Sequence, residues 1–225
     1  MSGASAVVLV SGGLDSATAL AMVRAEGADC IAMSFDYGQR HRYELKCAEA
    51  VCHALGVQSH RTITLDPVLM SGSALTGGGE VPPAGGGEEI PDTYVPARNT
   101  IFLAMALGVA ECVGADRIVI GANALDYSGY PDCRPEFIKA FQEVIDVGTR
   151  AGIEGLGIKV EAPLLHLRKS EIIQAGHRLG LDYGMTSSCY DVGDDGTPCG
   201  VCDSCHIRRD GFAAAGLVDP REMAS

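Results

Sequence analysis

Apolar residues fall in short runs separated by segments of helical period, and this alternation repeats along most of the chain. Ala6 to Val10 is apolar throughout and stops at a Gly-rich turn, which predicts a buried strand. Ser16 to Glu26 then predicts a helix with Gly27 as its stop. Cys30 to Phe35 predicts a second strand, Tyr43 to Leu55 a helix closed by Gly56, and Val57 to Leu65 a third strand. After an interruption the pattern resumes with a helix from about Asn99 to Val113 and a strand Arg117 to Ala122. A helix Phe137 to Gly148, an extended Ile158 to Ala162, a helix Lys169 to Leu179 and a last helix Asp203 to Ala215 follow. Strand and helix in turn predict right-handed βαβ units. The expected fold is α/β, a doubly wound, mostly parallel, five-stranded sheet.

The interruption is Ser71 to Pro91, with Gly77-Gly-Gly79, Pro82-Pro83 and Gly85-Gly-Gly87 and neither period. A loop of this length is expected to be a mobile lid or a disordered insert, and the lid is favoured.

Composition narrows the class. A chain of 225 residues holds one sizeable core, with or without a small appendage. Aromatics are 5% with no Trp, so the core is built from Ala, Val, Leu and Ile, as in parallel sheets. The best candidate for a bilayer span, Ile101 to Ala115, contains Glu111 and fits a buried helix better. No signal peptide is evident, so a cytoplasmic location is expected. The net charge is −12, from 17 Lys and Arg against 29 Asp and Glu, and the basic groupings are the short pairs Arg40/Arg42, Arg168/Lys169 and Arg208/Arg209. A nucleic-acid surface needs several cations on one face. Small-molecule partners are therefore expected, with a homodimer admissible and neither nucleic acid nor membrane.

Ser11-Gly-Gly-Leu-Asp-Ser16 lies between a strand and a helix, the place for a phosphate loop in a doubly wound sheet. Its glycines let the backbone approach a polyphosphate, whose oxygens would meet successive N–H groups and a helix N-terminus. Asp15 suits such a site if Mg²⁺ stands between carboxylate and phosphate. No Walker pattern and no dinucleotide fingerprint is present, and the loop contains no Lys. A plain strand–helix turn capped by Asp15 is the simpler alternative. The complete hexapeptide in its setting favours phosphate, and it resembles the pyrophosphatase loop of enzymes that split ATP into AMP and pyrophosphate.

Of nine cysteines, Cys189, Cys199, Cys202 and Cys205 crowd together with C-x9-C-x2-C-x2-C spacing. Overlapping C-x2-C turns let neighbouring thiolates face one ion, and Cys189 closes a tetrahedron. A closed four-thiolate site is structural. Zinc is favoured, with an iron–sulfur cluster, a redox pair and free thiols as alternatives. His206 is a superfluous fifth ligand and reads as a surface histidine. The other five cysteines read as small core residues, with Cys133 set apart by its neighbours.

Val95-Pro-Ala-Arg-Asn-Thr100 opens a helix, where Arg98 suits a phosphate or carboxylate, or equally a surface ion pair. The loop Gly121 to Glu136 follows the fourth strand and packs Asn123, Asp126, Tyr127, Tyr130, Asp132 and Arg134 together. Two Tyr beside an Arg suit a planar, hydrogen-bonding ligand.

Together these segments resemble the 7-cyano-7-deazaguanine synthase family, which makes the nitrile precursor of queuosine and archaeosine. The likeness covers nearly the whole chain. It is carried by Ser11–Ser16, Phe35-Asp-Tyr-Gly-Gln-Arg-His41, Tyr94-Val-Pro-Ala-Arg-Asn99, Asp126-Tyr-Ser-Gly-Tyr-Pro-Asp-Cys-Arg-Pro-Glu-Phe137, and Cys189 with Cys199-Gly-Val-Cys-Asp-Ser-Cys205. Ser187 is a departure, since the family usually places Trp there. The resemblance implies an adenine-nucleotide alpha-hydrolase-like domain over 1–184, with 71–91 as lid, and a zinc-binding segment over 185–225. It implies that 7-carboxy-7-deazaguanine is adenylated by ATP, converted by ammonia to the amide, adenylated again and released as the nitrile. Val10, Ser11, Gly12, Gly13, Leu14, Asp15, Ser16, Ala17 and Thr18 would hold the nucleotide and Mg²⁺, with Ser34 and Tyr37 near adenine. Arg98, Asn99, Asn123, Asp126, Tyr130, Asp132 and Arg134 would surround the base. Asp15, Arg98, Asp126 and Arg134 are the implied catalytic residues. Cys189, Cys199, Cys202 and Cys205 would hold one structural Zn²⁺. The rivals are a tRNA-modifying sulfur- or nitrogen-transfer ligase with the same loop, and a non-catalytic nucleotide-binding protein with a zinc knuckle.

Overall fold

A computed structural model describes residues 5–77, 81, 90–124 and 129–221. Five parallel strands form one sheet in the order β3-β2-β1-β4-β5, with β1 Ser5–Leu9, β2 Asp29–Asp36, β3 Ser59–Thr64, β4 Arg117–Val119 and β5 Lys159–Glu161. The crossovers carry α1 Leu14–Ala25, α2 Tyr43–Ala54, α3 Arg98–Val113, α4 Pro135–Gly148 and the short α5 Arg150–Ile153. Beyond β5 come α6 Lys169–Arg178 and α7 Asp203–Ala215. Among the described residues no helix is long and apolar enough to cross a membrane.

The hydrophobic pattern explains strand placement. β1 is the central strand and β2 its neighbour, and both are apolar on both faces because helices cover each side. β3, Ser-His-Arg-Thr-Ile-Thr, is polar and half-exposed, as an edge strand must be. Alternation along β1 divides the core. Ala6, Val8 and Val10 face α1, α6 and α7 in one cluster, while Val7 and Leu9 face α3 and α4 in another. Each fully buried valine contributes about 1.5–3 kcal/mol.

Expected and observed elements agree within a few residues. β4 is shorter than expected because β5, its partner, stops at Glu161; Ile120 N makes one last bond to the Glu161 carbonyl at 2.9 Å, and the chain then turns away. Within the segment read as a lid, residues 78–80 and 82–89 lie outside the described residues. Its two ends are tied together: Ala74 N donates to the Asp92 carbonyl at 2.9 Å, and Ser73 Oγ to the same oxygen at 3.2 Å. The C-terminal segment is built into the domain, since α7 packs on α6 and its Phe212 shares a core with α1.

Candidate active site

Strand order reverses between β1 and β4, and outside their carboxyl ends lies a cavity of about 220 Å³. The loop after β1 walls one half, and the start of α3 with the loop after β4 walls the other. Ser187, Ser188 and Tyr190 of the C-terminal segment complete it.

In the first half, the Ser16 hydroxyl organises the loop. It accepts from Ser11 N at 3.1 Å and Gly12 N at 3.3 Å, and donates to the Gly13 carbonyl at 3.1 Å. Gly13 N reaches Ser11 Oγ at 3.2 Å, and Leu14 N reaches Ser188 Oγ at 3.4 Å. These bonds lie at or beyond the long end of the usual range of about 2.7–3.2 Å, so anionic oxygens can compete with them. Two glycines make the fold of this loop possible. Gly12 has φ +92°, and a Cβ there would stand 2.0 Å from the Glu44 carbonyl. At Gly121, after β4, a Cβ would stand 2.9 Å from the Ser16 Cα and N.

Both Asp15 carboxylate oxygens accept from Lys169 Nζ at 2.7 Å. The lysine side chain is 8% exposed and opens α6. In sequence Lys169 is only half of a basic pair, and the loop lacks a lysine; the fold supplies the cation from 154 residues away. Its position just after the fifth strand, at the same sheet edge as the loop, is the signal that marks it.

The second half is held by tighter bonds. Ala97, with φ 54°, is the one non-glycine residue of positive φ among the described residues, and it turns the chain so that Arg98 begins α3. Such a conformation costs about 1–2 kcal/mol, and Ala97 N is tied to Tyr94 Oη at 3.1 Å. Asn99 N donates to Asp132 Oδ2 at 3.0 Å and Asn99 Nδ2 to the Asp132 carbonyl at 2.9 Å. Asn123 Nδ2 donates to the Leu167 carbonyl at 2.6 Å, and the Tyr130 and Thr93 hydroxyls lie 2.7 Å apart. Phe35 and Phe102, both lining the cavity, stack with centroids 4.0 Å apart and present a flat apolar surface.

Arg98 and Tyr37 both line the cavity. Burial works against the guanidinium charge, but Tyr37, Cys133 and Asp132 more than offset it, so the pKa moves up and the cation persists. Burial pushes the Tyr37 phenol up to about 12 and the Cys133 thiol up to about 11, with Arg98 opposing both. Cys133 is thus a neutral thiol, unsuited to act as a nucleophile.

Several expected contacts lie elsewhere. Ala17 sits in the core, and Thr18 Oγ1 bonds the Leu14 carbonyl at 2.9 Å and Tyr183 Oη at 2.8 Å. Ser34 Oγ donates to the Val10 carbonyl at 2.5 Å, with His60 Nε2 at 2.7 Å, below the cavity floor. Gly12 packs behind the loop, Asp132 acts through Asn99, and Arg134 is exposed at the start of α4. None of these six is among the described residues lining the cavity, whereas Val10, Ser11, Gly13, Leu14, Asp15 and Ser16 are. So are Tyr37, Arg98, Asn99, Asn123 and Tyr130. Asp126 lies outside the described residues.

The four cysteines Cys189, Cys199, Cys202 and Cys205 converge, their sulfurs all within 4.8 Å of one another. A tetrahedral thiolate site with bonds of about 2.3 Å needs sulfurs about 3.8 Å apart, so the set fits a metal with little closure. Cys189 Sγ accepts from Cys199 N at 3.2 Å and Asp191 N at 3.4 Å, bonds that favour a thiolate. Ser187, in place of the family's usual Trp, is buried, and its N donates to the Gly12 carbonyl at 3.0 Å. The cysteine segment therefore rests directly on the phosphate loop. Arg208 clamps it from behind, with Asp219 at 2.6 and 2.8 Å, Thr186 Oγ1 at 2.8 Å and the Tyr183 carbonyl at 3.0 Å.

Among solved structures, a 4-thiouridine synthetase in complex with RNA and bound ATP matches with a TM-score of 0.51 at 16% identity, over 94% of this chain and 54% of that one. At that identity the likeness concerns the fold. The 7-cyano-7-deazaguanine synthase of Ectopseudomonas mendocina is 58% identical over 97% of this chain and 98% of its own length. That of Pseudomonas aeruginosa strain LESB58 is 58% identical over 96% of both. The family described as queuosine biosynthesis protein QueC matches residues 5–216, and the chain belongs to that family.

Proposed function

We propose that this chain converts 7-carboxy-7-deazaguanine and ammonia into 7-cyano-7-deazaguanine at the expense of two ATP, each released as AMP and pyrophosphate. The observation that carries this reading is the union, in one cavity, of a phosphate loop and a flat-floored wall bearing Arg98, Asn99, Asn123 and Tyr130. The 58% identity to two synthases of that name supports it. A carboxylate is a poor electrophile, and adenylation supplies a leaving group. The amide formed with ammonia is adenylated in turn on its oxygen, and loss of AMP leaves the nitrile.

This chain's residues position and neutralise. Ser11 to Ser16 take the pyrophosphate oxygens. Lys169 supplies the positive charge that the loop lacks. Asp15 would hold Mg²⁺, since its oxygens keep lone pairs beyond those given to Lys169; the ion, when bound, neutralises phosphate charge. Arg98 offers a persistent cation to the substrate carboxylate. Asn123 and Tyr130 meet the base edge. Zinc on the four cysteines is structural, because four protein ligands leave no open position. Residues 1–184 act as the ATP-binding unit and 185–225 as its metal-bearing wall. The enzyme works in the cytoplasm on small molecules; the −12 charge does not suit tRNA phosphates.

The test mixes protein, Mg-ATP, ammonium and the carboxylic acid. The nitrile should appear by mass with two AMP per molecule formed. ADP and phosphate instead, or full activity with glutamine alone, would refute the assignment.

A further inference from the structure

Ammonia brings three N–H bonds to this chemistry and the nitrile keeps none. One proton leaves when ammonia displaces AMP from the acyl adenylate. A second leaves when the amide oxygen attacks the α-phosphorus, expels pyrophosphate and C=N forms. The third leaves as the C–O bond to AMP breaks with its electron pair, and the electrons of the last N–H bond complete C≡N. The nitrogen of an adenylated amide therefore needs a base twice after the amide stage, and only once before it.

We propose that His41, oriented by Glu44, is that base; this rests on the ligase reading above. His41 and Glu44 both line the cavity, and His41 is its one histidine among the described residues. His41 Nε2 lies 3.4 Å from Glu44 Oε1, and both side chains are about nine-tenths buried, at 9% and 12% exposed. The Glu44 carboxylate beside Nε2 favours the tautomer with the proton on Nε2, which leaves the lone pair on Nδ1. Nδ1 is buried and has no hydrogen-bond partner among the described residues. Buried polar atoms without a partner are rare, and one that lines a cavity is placed to bond a ligand there. Glu44 is itself held, since Gln39 Nε2 donates to Glu44 Oε1 at 3.3 Å and to the Phe35 carbonyl at 2.9 Å, while Gln39 Oε1 accepts from Tyr37 N at 2.8 Å. Gln39 is 1% exposed, so this frame is rigid.

The segment stands at the junction of the two halves. The Glu44 carbonyl packs on Gly12 of the loop after β1, and Tyr37 packs on Phe102 of α3 with ring centroids 5.5 Å apart. The reacting carbon must lie at that junction, because it joins the base to the α-phosphorus. The other titratable groups there are already committed. Both Asp15 oxygens face Lys169, and the Tyr37 and Cys133 protons are held by burial. The proton taken by His41 forms an imidazolium stabilised by Glu44 and passes to solvent on product release.

The experiment compares wild type, His41→Gln and Glu44→Gln with Mg-ATP, ammonium and the carboxylic acid, following amide and nitrile by mass. Acid-dependent exchange of labelled pyrophosphate into ATP is measured alongside. His41→Gln should exchange pyrophosphate within about threefold of wild type, and nitrile formation should fall about 10²- to 10⁴-fold, the range for lost general-base catalysis. The carboxamide should accumulate. Glu44→Gln should do the same more weakly, with a loss of about tenfold in kcat at unchanged acid KM, as expected of a residue that orients the base. Nitrile formation near the wild-type rate in His41→Gln overturns the proposal. So does a parallel loss of exchange and turnover in both folded variants, without amide, because that marks a structural role. Should His41→Gln fail to fold, the amide-to-nitrile ratio of Glu44→Gln decides by itself. A wild-type enzyme that makes no nitrile defeats the ligase reading itself, an outcome distinct from an active variant.

Discussion

The two halves of the cavity are held in different ways. The half proposed to hold phosphate is a contiguous hexapeptide kept in shape by its own hydroxyls over 3.1–3.3 Å, with Ser188 Oγ 3.4 Å from Leu14 N. The base half is gathered from segments dozens of residues apart and fastened by bonds of 2.6–3.0 Å to buried partners. One half yields readily and the other is fixed. Under the proposed reaction this matches the traffic, because two nucleotides enter and leave while a single base stays in place.

The largest effect should come from removing what both halves lean on. Cys202→Ala opens the four-cysteine set, and structural zinc sites in small domains bind with about 10–16 kcal/mol. That exceeds or rivals the total stability of a typical domain, about 5–15 kcal/mol. The variant should be insoluble or melt far lower, and metal analysis of wild type should find about one zinc per chain. An iron–sulfur absorption band without zinc would replace the metal but not the architecture.

Asp15→Asn strikes the yielding half alone. It leaves Lys169 beside a neutral amide and removes the charge proposed to hold Mg²⁺. Turnover should drop about 10²- to 10³-fold, the scale for lost electrostatic stabilisation, with melting little changed. AMP formation at the wild-type rate would take Asp15 out of the mechanism.

Asp132→Ala strikes the fixed half. It strips the partner from the buried Asn99 N–H, at a cost of about 1–3 kcal/mol. The KM for the carboxylic acid should rise about tenfold or more while the KM for ATP stays put. A parallel rise in both would erase the distinction between halves. Ala97→Gly should show least. Relief of a left-handed alanine and the added chain entropy of glycine nearly cancel, each about 1 kcal/mol. Stability should hold, and acid KM should rise no more than about threefold as Arg98 loosens.

These halves were also unequally legible in sequence. The place of the hexapeptide is plain, because a strand, two glycines and a helix are neighbours in the chain, and the spacing of the four cysteines marks a group whose sulfurs converge. Lys169 is not so marked, since only the turn from β5 into α6 brings it to Asp15. Gly121 looks like an ordinary turn residue until Ser16 is seen against it. Ser34 and Thr18 have the right chemistry and the right neighbourhood. Their hydroxyls are nevertheless consumed by Val10 and Tyr183, which a linear pattern cannot reveal. The fold followed from local period, whereas the pairing of polar atoms followed from packing.

The bond from Ser187 N to the Gly12 carbonyl joins the loop after β1 to a segment made much later in synthesis. On the ribosome the carbonyl at residue 12 must wait for the amide at residue 187, and Ser188 is equally late in reaching Leu14. A half-made chain thus lacks the Ser187 and Ser188 contacts that complete the cavity. If the loop holds ATP as proposed, stalled nascent chains that end before residue 187 should retain no nucleotide on a filter.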